Sequence, residues 1–317
     1  MISIVIPVLN EELNLAPLHR EIDEVLRNAD LQAEIIVVDD GSKDGSWNEV
    51  TQLARRDPRV QGIRFRRNFG KAAALSAGFA CVRGNFVVTL DADLQDNPTE
   101  IPGLIRQLEA GFDLVNGWKR RRFDPWHKVI PSRVFNWMIR LASGLKLHDH
   151  NCGLKGYRIE VVREIRIYGE LHRFITLLAH ARGFRVTEME VQHRPRIHGQ
   201  SNYGVERFVK GLLDLLTVRV LTLFGERPLH FLGGTGLIAF AVGFLGLAYL
   251  ACLWVTGHRP IGTRPVLIYS AASLLLGAQM VSAGILAELI VSRLGGEGGD
   301  PGRSYSIAER IGFRQEE

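Results

Sequence analysis

Two stretches of this 317-residue chain, 229–257 and 266–287, contain no Asp, Glu, Lys or Arg. Each reaches the roughly 20 residues that a helix needs to cross a ~30 Å hydrocarbon layer. The short link between them holds Pro260, Gly262 and Pro265. The pattern predicts a transmembrane hairpin with spans at about 229–256 and 266–290; two helices buried in a soluble core are the alternative. Gly233, Gly234, Gly236, Gly243 and Gly246 would weaken a water-exposed helix but suit close packing in lipid, between the spans or between copies in a homo-oligomer. Arg207, Lys210, Arg219 and Arg227 precede the first span and Arg293 and Arg303 follow the second, against Arg259 and Arg264 in the link. The positive-inside rule then expects both termini on the cytoplasmic side of the inner membrane.

The remainder divides around that hairpin. Residues 1–203 read as a cytoplasmic globular domain, 204–227 as an interface helix, 228–292 as the hairpin and 293–317 as a cytoplasmic tail. In the interface segment Arg207, Lys210, Asp214 and Thr217 make one polar stripe at helical spacing. Such a stripe suits a helix lying in the membrane surface, or one packed on the domain. The first apolar run, 2–8, lacks a basic start and leads straight into Asn10, Glu11 and Glu12, so it reads as a strand and not as a signal peptide. In the tail, Tyr305 and Ile307 are the residues able to dock.

Hydrophobic residues at 46% and charged ones at 23% exclude a disordered or collagen-like chain. A net charge of +5 does not call for nucleic acid. Cys81, Cys152 and Cys252 are far apart and form no CxxC, which argues against a disulfide framework or a zinc cage. Along the domain, buried-strand runs at 2–8, 34–38, 60–65, 86–90 and 113–116 alternate with helical spacing at 11–28, 47–55, 71–82 and 102–110. That order predicts an α/β fold with a mostly parallel sheet and ligands at the carboxyl ends of its strands.

Carboxylates stand at those ends: Glu11 after the first strand, Asp39 and Asp40 after the second, Asp91 and Asp93 after the central one. No GxGxxG follows the first strand and no GxxxxGK[ST] occurs, so the glycines that let a backbone touch a pyrophosphate are missing. An NAD enzyme or a P-loop ATPase is thereby disfavoured. Two aspartates flanking Ala92 beyond a strand can share one hard cation, Mg²⁺ or Mn²⁺, that also takes diphosphate oxygens. Asp39 and Asp40 offer acceptors for a base N–H or ribose hydroxyls, although one of them also suits an Asx-turn.

The motifs IPVLNEELNL, VVDDGSKDGS, RRNFGKAAALSAGF and LDADLQDNP, in this order, resemble family 2 glycosyltransferases of the GT-A fold. GWKRRRFDPWHK, HDHNCGLKGYR and HRPRIHGQSNYG, followed by two spans, resemble the polyprenyl-phosphate glycosyltransferase branch, which includes dolichyl-phosphate mannose synthases and their bacterial undecaprenyl-phosphate relatives. The resemblance implies that Pro7, Leu9, Glu11, Val38 and Asp40 hold the nucleotide, with Asp91 and Ala92 at its diphosphate. It implies a metal at Asp91, Asp93 and Gln95, and an acceptor-phosphate site from Lys119 or Arg120, Lys128, Ser132, Arg196 and Ser201. Asp93 and Arg196 would then serve catalysis, and Asp149 would orient the acceptor or take a residual proton. Where the family motif has a lysine after that serine, this chain has Asn202, and no phosphate role is expected there.

The implied reaction is inverting transfer of a sugar from a nucleotide donor to a polyprenyl phosphate. The acceptor is already largely ionised near neutral pH, with a second pKa of roughly 6 by analogy with phosphorylated side chains, so a strong base is less necessary. UDP-sugars are the expected donors, GDP-mannose the alternative. A processive polysaccharide synthase is the rival enzyme, but its QxxRW motif is absent from the Gln192–Arg196 region. A membrane scaffold retaining an inactive transferase fold is the non-enzymatic rival.

Overall fold

The computed structural model describes residues 1–120, 145, 147–169, 171–194, 228–257, 260, 262, 264–296 and 305–312. The chain forms two units, Met1–Arg219 with Gly302–Glu317, and Val220–Pro301. The sequence-expected interface helix at 204–227 lies outside the described residues.

The first unit is built on the alternation read from the sequence. Strand β1 (Ile2–Val8) is buried on both faces and pairs in parallel with β2 (Ala33–Asp39) and β4 (Phe86–Thr89). Strand β3 (Val60–Phe65) continues the parallel set beyond β2. Between them run α1 (Glu12–Asn28), α2 (Ser46–Arg56) and α3 (Lys71–Phe79), with α4 (Ile101–Glu109) after β4. Helix α1 buries Leu15, Leu18, Ile22, Val25 and Leu26 on one stripe, each side chain contributing about 1.5–3 kcal/mol as an upper estimate. Helix α3 is Ala-rich because it lies close to the sheet: a Cβ at Gly78 would collide with Val5 of β1.

The other half of the sheet departs from simple alternation. Strand β5 (Leu114–Trp118) does not join β4 directly; β6 (Lys155–Arg158) inserts between them, antiparallel to both. Strand β7 (Val186–Glu190) then pairs in parallel with β5. Short helices α5 (Ile159–Glu164) and α6 (Ile175–Ala181) connect β6 to β7 through a 3₁₀ turn at Leu171–Phe174. The last strand, β8 (Ile307–Ile311), comes from the tail and pairs antiparallel with β3. The sheet order is β7-β5-β6-β4-β1-β2-β3-β8, with four of seven pairings parallel. The sheet is thus a mostly parallel α/β sheet, as the alternation of strands and helices predicted. Tyr305, expected to dock, stacks on Phe65 with ring centroids 5.0 Å apart, and Trp47 Nε1 donates to Glu309 at 3.0 Å.

The second unit contains α7 (Pro228–Val255) and α8 (Pro265–Gly296), both long and apolar enough to cross a membrane. Leu237, Ile238, Leu245, Ile268 and Tyr269 point outward and stay more than 60% exposed, which no buried core helix would tolerate. Of the glycines of α7, Gly236, Gly243 and Gly246 face the partner span, whereas Gly234 meets nothing within 4 Å and Gly233 meets only Leu229 of its own helix. A Cβ at Gly236 or Gly243 would strike the backbone of α8, and one at Gly277 would strike that of α7. Ser273 Oγ adds a hydrogen bond to the Ala239 carbonyl at 2.8 Å. Close backbone approach thus holds the hairpin together from within the chain.

Candidate functional site

The carboxyl ends of β1, β2 and β4 meet above the sheet, and the loops there are laced to one another. Pro7 and Val38, both expected to line a base pocket, are register neighbours across β1 and β2. The Asn10 amide donates to Ser42 Oγ at 2.9 Å, the Glu11 amide to Ser46 Oγ at 2.9 Å, and the Lys43 amide to Asn10 Oδ1 at 2.8 Å. Asn10 carries a positive φ of 57°, uncommon outside glycine, and these bonds hold it there. The Glu11 carboxylate accepts from Asn14 Nδ2 at 2.5 Å, and Leu9 stands 42% exposed at the mouth.

The two aspartates after β2 divide their work. Asp39 Oδ1 accepts the Ser42 amide at 2.9 Å, the Asx-turn weighed for one of the pair. Asp40 reaches sideways instead, accepting the amides of Phe69 and Gly70 at 2.7 and 2.9 Å. Burial pushes the Asp40 carboxyl above its usual range, with the neighbouring Asp39 charge adding to the effect against those two bonds. Asp40 therefore anchors the loop that delivers Lys71. Gly41 makes the approach possible, because at its φ of +72° a Cβ would overlap the backbone of Arg67 and Asn68.

Beyond β4 the chain turns sharply through Asp91–Asn97. Leu94 is held at a φ of 60°, a left-handed conformation costly for a leucine. The Gln95 amide donates to Asp93 Oδ1 at 3.2 Å. Lys71 Nζ sits 2.5 Å from Asp91 Oδ1, and Lys119 Nζ sits 2.7 Å from the fully buried Asp96. Burial works against charge on Lys71, but Asp91, then Asp96 and Asp93, outweigh it and hold the ammonium above its ordinary value. Burial likewise opposes ionisation of Asp91, yet Lys71, followed by Lys119 and Lys155, keeps its carboxyl below the usual range. A cluster of acids this close is stable only with cations among them.

Asp91, Asp93 and Gln95 fit the divalent cation implied by the resemblance. Their donors are hard oxygens, although the Lys71 ammonium paired with Asp91 would have to share that carboxylate with the ion. Among the described residues no group of three His, Cys, Asp or Glu encloses an ion alone.

The site's far wall comes from the inserted strand and the segment after β7. The Arg194 amide donates to the Gln95 carbonyl at 2.9 Å and its guanidinium to Glu21 and Asn97 at 2.8 Å each, while the backbone of His193 pairs with that of Asp96 in an isolated antiparallel β-bridge. The stretch leading to Arg196 and Ser201 thus departs from beside the acidic turn; Arg196, Ser201 and Asn202 themselves, like Lys128 and Ser132, lie outside the described residues. Of the two candidates, Lys119 meets the acidic cluster, whereas Arg120 is exposed and meets Glu190 at 3.4 Å. Asp149 is buried, with Oδ1 accepting the Asn151 amide at 3.0 Å and its carbonyl accepting from Asn116 Nδ2. Burial pushes the Cys152 thiol up to about 12, so it packs and does not react.

Three participants carried no assignment from sequence: Lys71, Asp96 and Lys155. Lys71 lies in the motif RRNFGKAAALSAGF, at the start of an otherwise apolar helix. Lys155 was equally visible as one charge inside the run CGLKGY.

Residues 3–166 match the family described as Glycosyl transferase family 2. Over 294 residues the chain is 37% identical to the dodecaprenyl-phosphate galacturonate synthase of Rhizobium johnstonii, covering 91% of this chain and 87% of that one. It is 36% identical over 294 residues to the undecaprenyl-phosphate 4-deoxy-4-formamido-L-arabinose transferase of Shewanella sediminis, covering 91% and 86% respectively. Among solved structures, glucosyl-3-phosphoglycerate synthase from Mycobacterium tuberculosis in complex with Mn²⁺ and uridine-diphosphate-glucose shares the fold, with a TM-score of 0.53 at 19% identity over 70% of this chain and 78% of that one.

Proposed function

Because the chain belongs to glycosyl transferase family 2, we propose that it transfers a sugar from a UDP-sugar to a polyprenyl phosphate at the cytoplasmic face of a membrane. The product is a polyprenyl monophosphate sugar. The observation that carries this reading is the convergence of Asp91 and Asp93 with Lys71 and Lys119 beyond the central strand, in a chain that also has two membrane-length apolar helices. The relatives that match nearly end to end are named as polyprenyl-phosphate transferases, which supports the acceptor. The solved neighbour holding Mn²⁺ and UDP-glucose supports the donor and the cation by likeness of fold alone.

In this reading Pro7, Leu9, Glu11 and Val38 border the nucleotide, while Asp40 fixes the adjoining loop. Asp91, Asp93 and Gln95 would hold Mg²⁺ or Mn²⁺, which supplies positive charge for the diphosphate as it departs. An acceptor phosphate oxygen attacks C1 of the sugar from the opposite face. The C1–O bond to the diphosphate breaks, and UDP leaves with the electron pair. Lys119 orients the phosphates within the cluster, with Lys128, Ser132, Arg196 and Ser201 expected to close over them. No proton need move when the attacking oxygen is already ionised, so Asp149 orients the acceptor or takes a residual proton.

The tail supports the topology. Strand β8 follows the two spans in sequence yet pairs with β3 of the catalytic sheet. That pairing supports placing both ends of the hairpin in one compartment, and the basic flanks favour the cytoplasm. The test incubates membranes containing the full chain with labelled nucleotide sugars and extracts them with organic solvent. Label in a mild-acid-labile lipid is the expected result; label in an insoluble polymer, or none, overturns the reading.

A further inference from the structure

The segment that follows the second long helix returns to the sheet beside the loop that carries Lys71. Strand β8 pairs with β3 over Gly62–Phe65, and its register slips between Arg64 and Phe65. Glu309 faces Arg64 while Ile307 faces Phe65, which leaves Ala308 as an extra residue. Bulges of this kind bend an edge strand and often stand next to active sites. Past the bulge the tail keeps its hold, with the Arg66 amide donating to the Ser306 carbonyl at 3.0 Å. Tyr305 then lays its ring on Phe65, with 5.0 Å between centroids and 18° between planes. Backbone pairing alone would cover the edge of β3, so the ring is not needed for that.

From Tyr305 a row of contacts leads to the acidic turn. The buried Phe65 meets Phe69 edge-on at 5.7 Å. Tyr305, Ile307 and Phe69 pack on the same buried cluster as Ala72, Ala73 and Ala74 of α3. The Phe69 and Gly70 amides donate to Asp40, and the next residue, Lys71, pairs with Asp91. The loop at 66–70 is thus gripped by Asp40 through its backbone and by the rings through Phe69. The rings connect it to the tail. The ammonium it delivers offsets the Asp91 charge, which would otherwise repel a diphosphate brought to that carboxylate.

We propose that Tyr305 is a positioning residue for donor binding: by stacking on Phe65 it fixes Phe69 and the 66–70 loop, and through them the place of Lys71 beside Asp91. This rests on the reading of the crevice as a nucleotide-sugar site. The polyprenyl phosphate, whose expected partners are Lys119, Lys128, Ser132, Arg196 and Ser201, does not depend on this row. The segment beyond the two membrane-length helices is therefore a working part of the donor site as well as an edge cover.

The test measures binding of UDP and of GDP to the full chain in detergent with Mn²⁺ by calorimetry, alongside KM for the donor and for undecaprenyl phosphate. Tyr305→Ala should raise the donor KM, and the Kd of whichever nucleotide the parent binds, about three- to tenfold, the size of one aromatic pair, with the acceptor KM changed by less than about twofold. Tyr305→Phe, which keeps the stack, should behave as the parent does. Glu309→Ala removes the bond from Trp47 Nε1 and loosens the same strand away from the row. It should lower Tm yet leave the nucleotide Kd within about twofold of the parent's. An unchanged Kd in Tyr305→Ala, or an equal rise in Glu309→Ala, would overturn the proposal, because the tail would then act through stability alone. Should Tyr305→Ala fail to fold, Phe69→Leu decides: it interrupts the row with β8 in place, a raised Kd supports the proposal and an unchanged one overturns it. A parent that binds neither nucleotide defeats the reading of the site and the proposal with it, whereas a flat Tyr305→Ala result in a parent that does bind defeats the proposal alone.

Discussion

Replacing Asp40 separates an anchor from a ligand. Its two oxygens accept the Phe69 and Gly70 amides at 2.7 and 2.9 Å, in a residue only 4% exposed. Hydrogen bonds to a charged group contribute about 1.5–3 kcal/mol each. Burial opposes the charge here, as the raised carboxyl shows, so the lower value applies to both bonds. Asp40→Ala should therefore cost about 3 kcal/mol, and Asp40→Asn, which keeps one acceptor, about half of that. For a domain of this size that corresponds to a fall of about 6–12 °C in Tm for alanine and about 3–6 °C for asparagine. The assay is thermal unfolding of the full chain in detergent at one fixed scan rate, with donor KM measured in parallel. A pH signature accompanies it. Because the folded carboxyl sits above the unfolded value of 3.8, the native state binds the proton more tightly in that window, and stability from this group falls as pH rises through it. Asp40→Asn removes that slope. A Tm within about 2 °C of the parent, with donor KM alone raised, would refute the anchor and return Asp40 to the nucleotide.

Asp93→Ala should lower kcat at least about 100-fold in the lipid-extraction assay while leaving thermal unfolding nearly unchanged, since it removes charge stabilisation of the leaving group; retained turnover would displace the metal assignment. Asp149→Asn should keep turnover within about tenfold at neutral pH, where the acceptor is already ionised, and a loss as large as that of Asp93→Ala would make Asp149 an essential base. Asp57, held at about 2 against burial by Arg59 and by His19 at 2.8 Å, contributes stability that is present above 3.8 and lost as pH falls through about 2. Acid titration of Asp57→Asn should flatten that loss, and an unchanged acid limb would discount the pair. Tyr305→Ala removes the stack on Phe65, and should lower stability by about 1 kcal/mol or more in urea unfolding; no change would mean that β8 binds through its backbone alone.

The order of strands and helices as far as β5 was legible because it rests on local periodicity. Predicted boundaries for β1 and β3 coincide with those observed, and the others shift by a residue or a few. The two long apolar helices were legible for the same reason, since a charge-free run needs no knowledge of its neighbours. The carboxylates were legible as a position, the ends of strands, because side chains past a parallel strand have nowhere to point but the crevice.

What the chain by itself determined, then, was which elements form, which loops carry the acids, and that part of it suits lipid. Only the tertiary structure decided which groups pair. Asp39 and Asp40 are adjacent and chemically identical, yet one caps its own turn and the other crosses to residues 69 and 70. Lys119 and Arg120 are both basic, and only the first meets a buried carboxylate. The insertion of β6 between β4 and β5, and the return of β8 to β3, join segments distant in sequence. Strand pairing of that kind leaves no periodic mark, because its free energy lies in contacts between segments that carry no record of one another. Burial of a charge such as Lys155 has the same origin: sequence supplies the ammonium, and register alone decides what surrounds it.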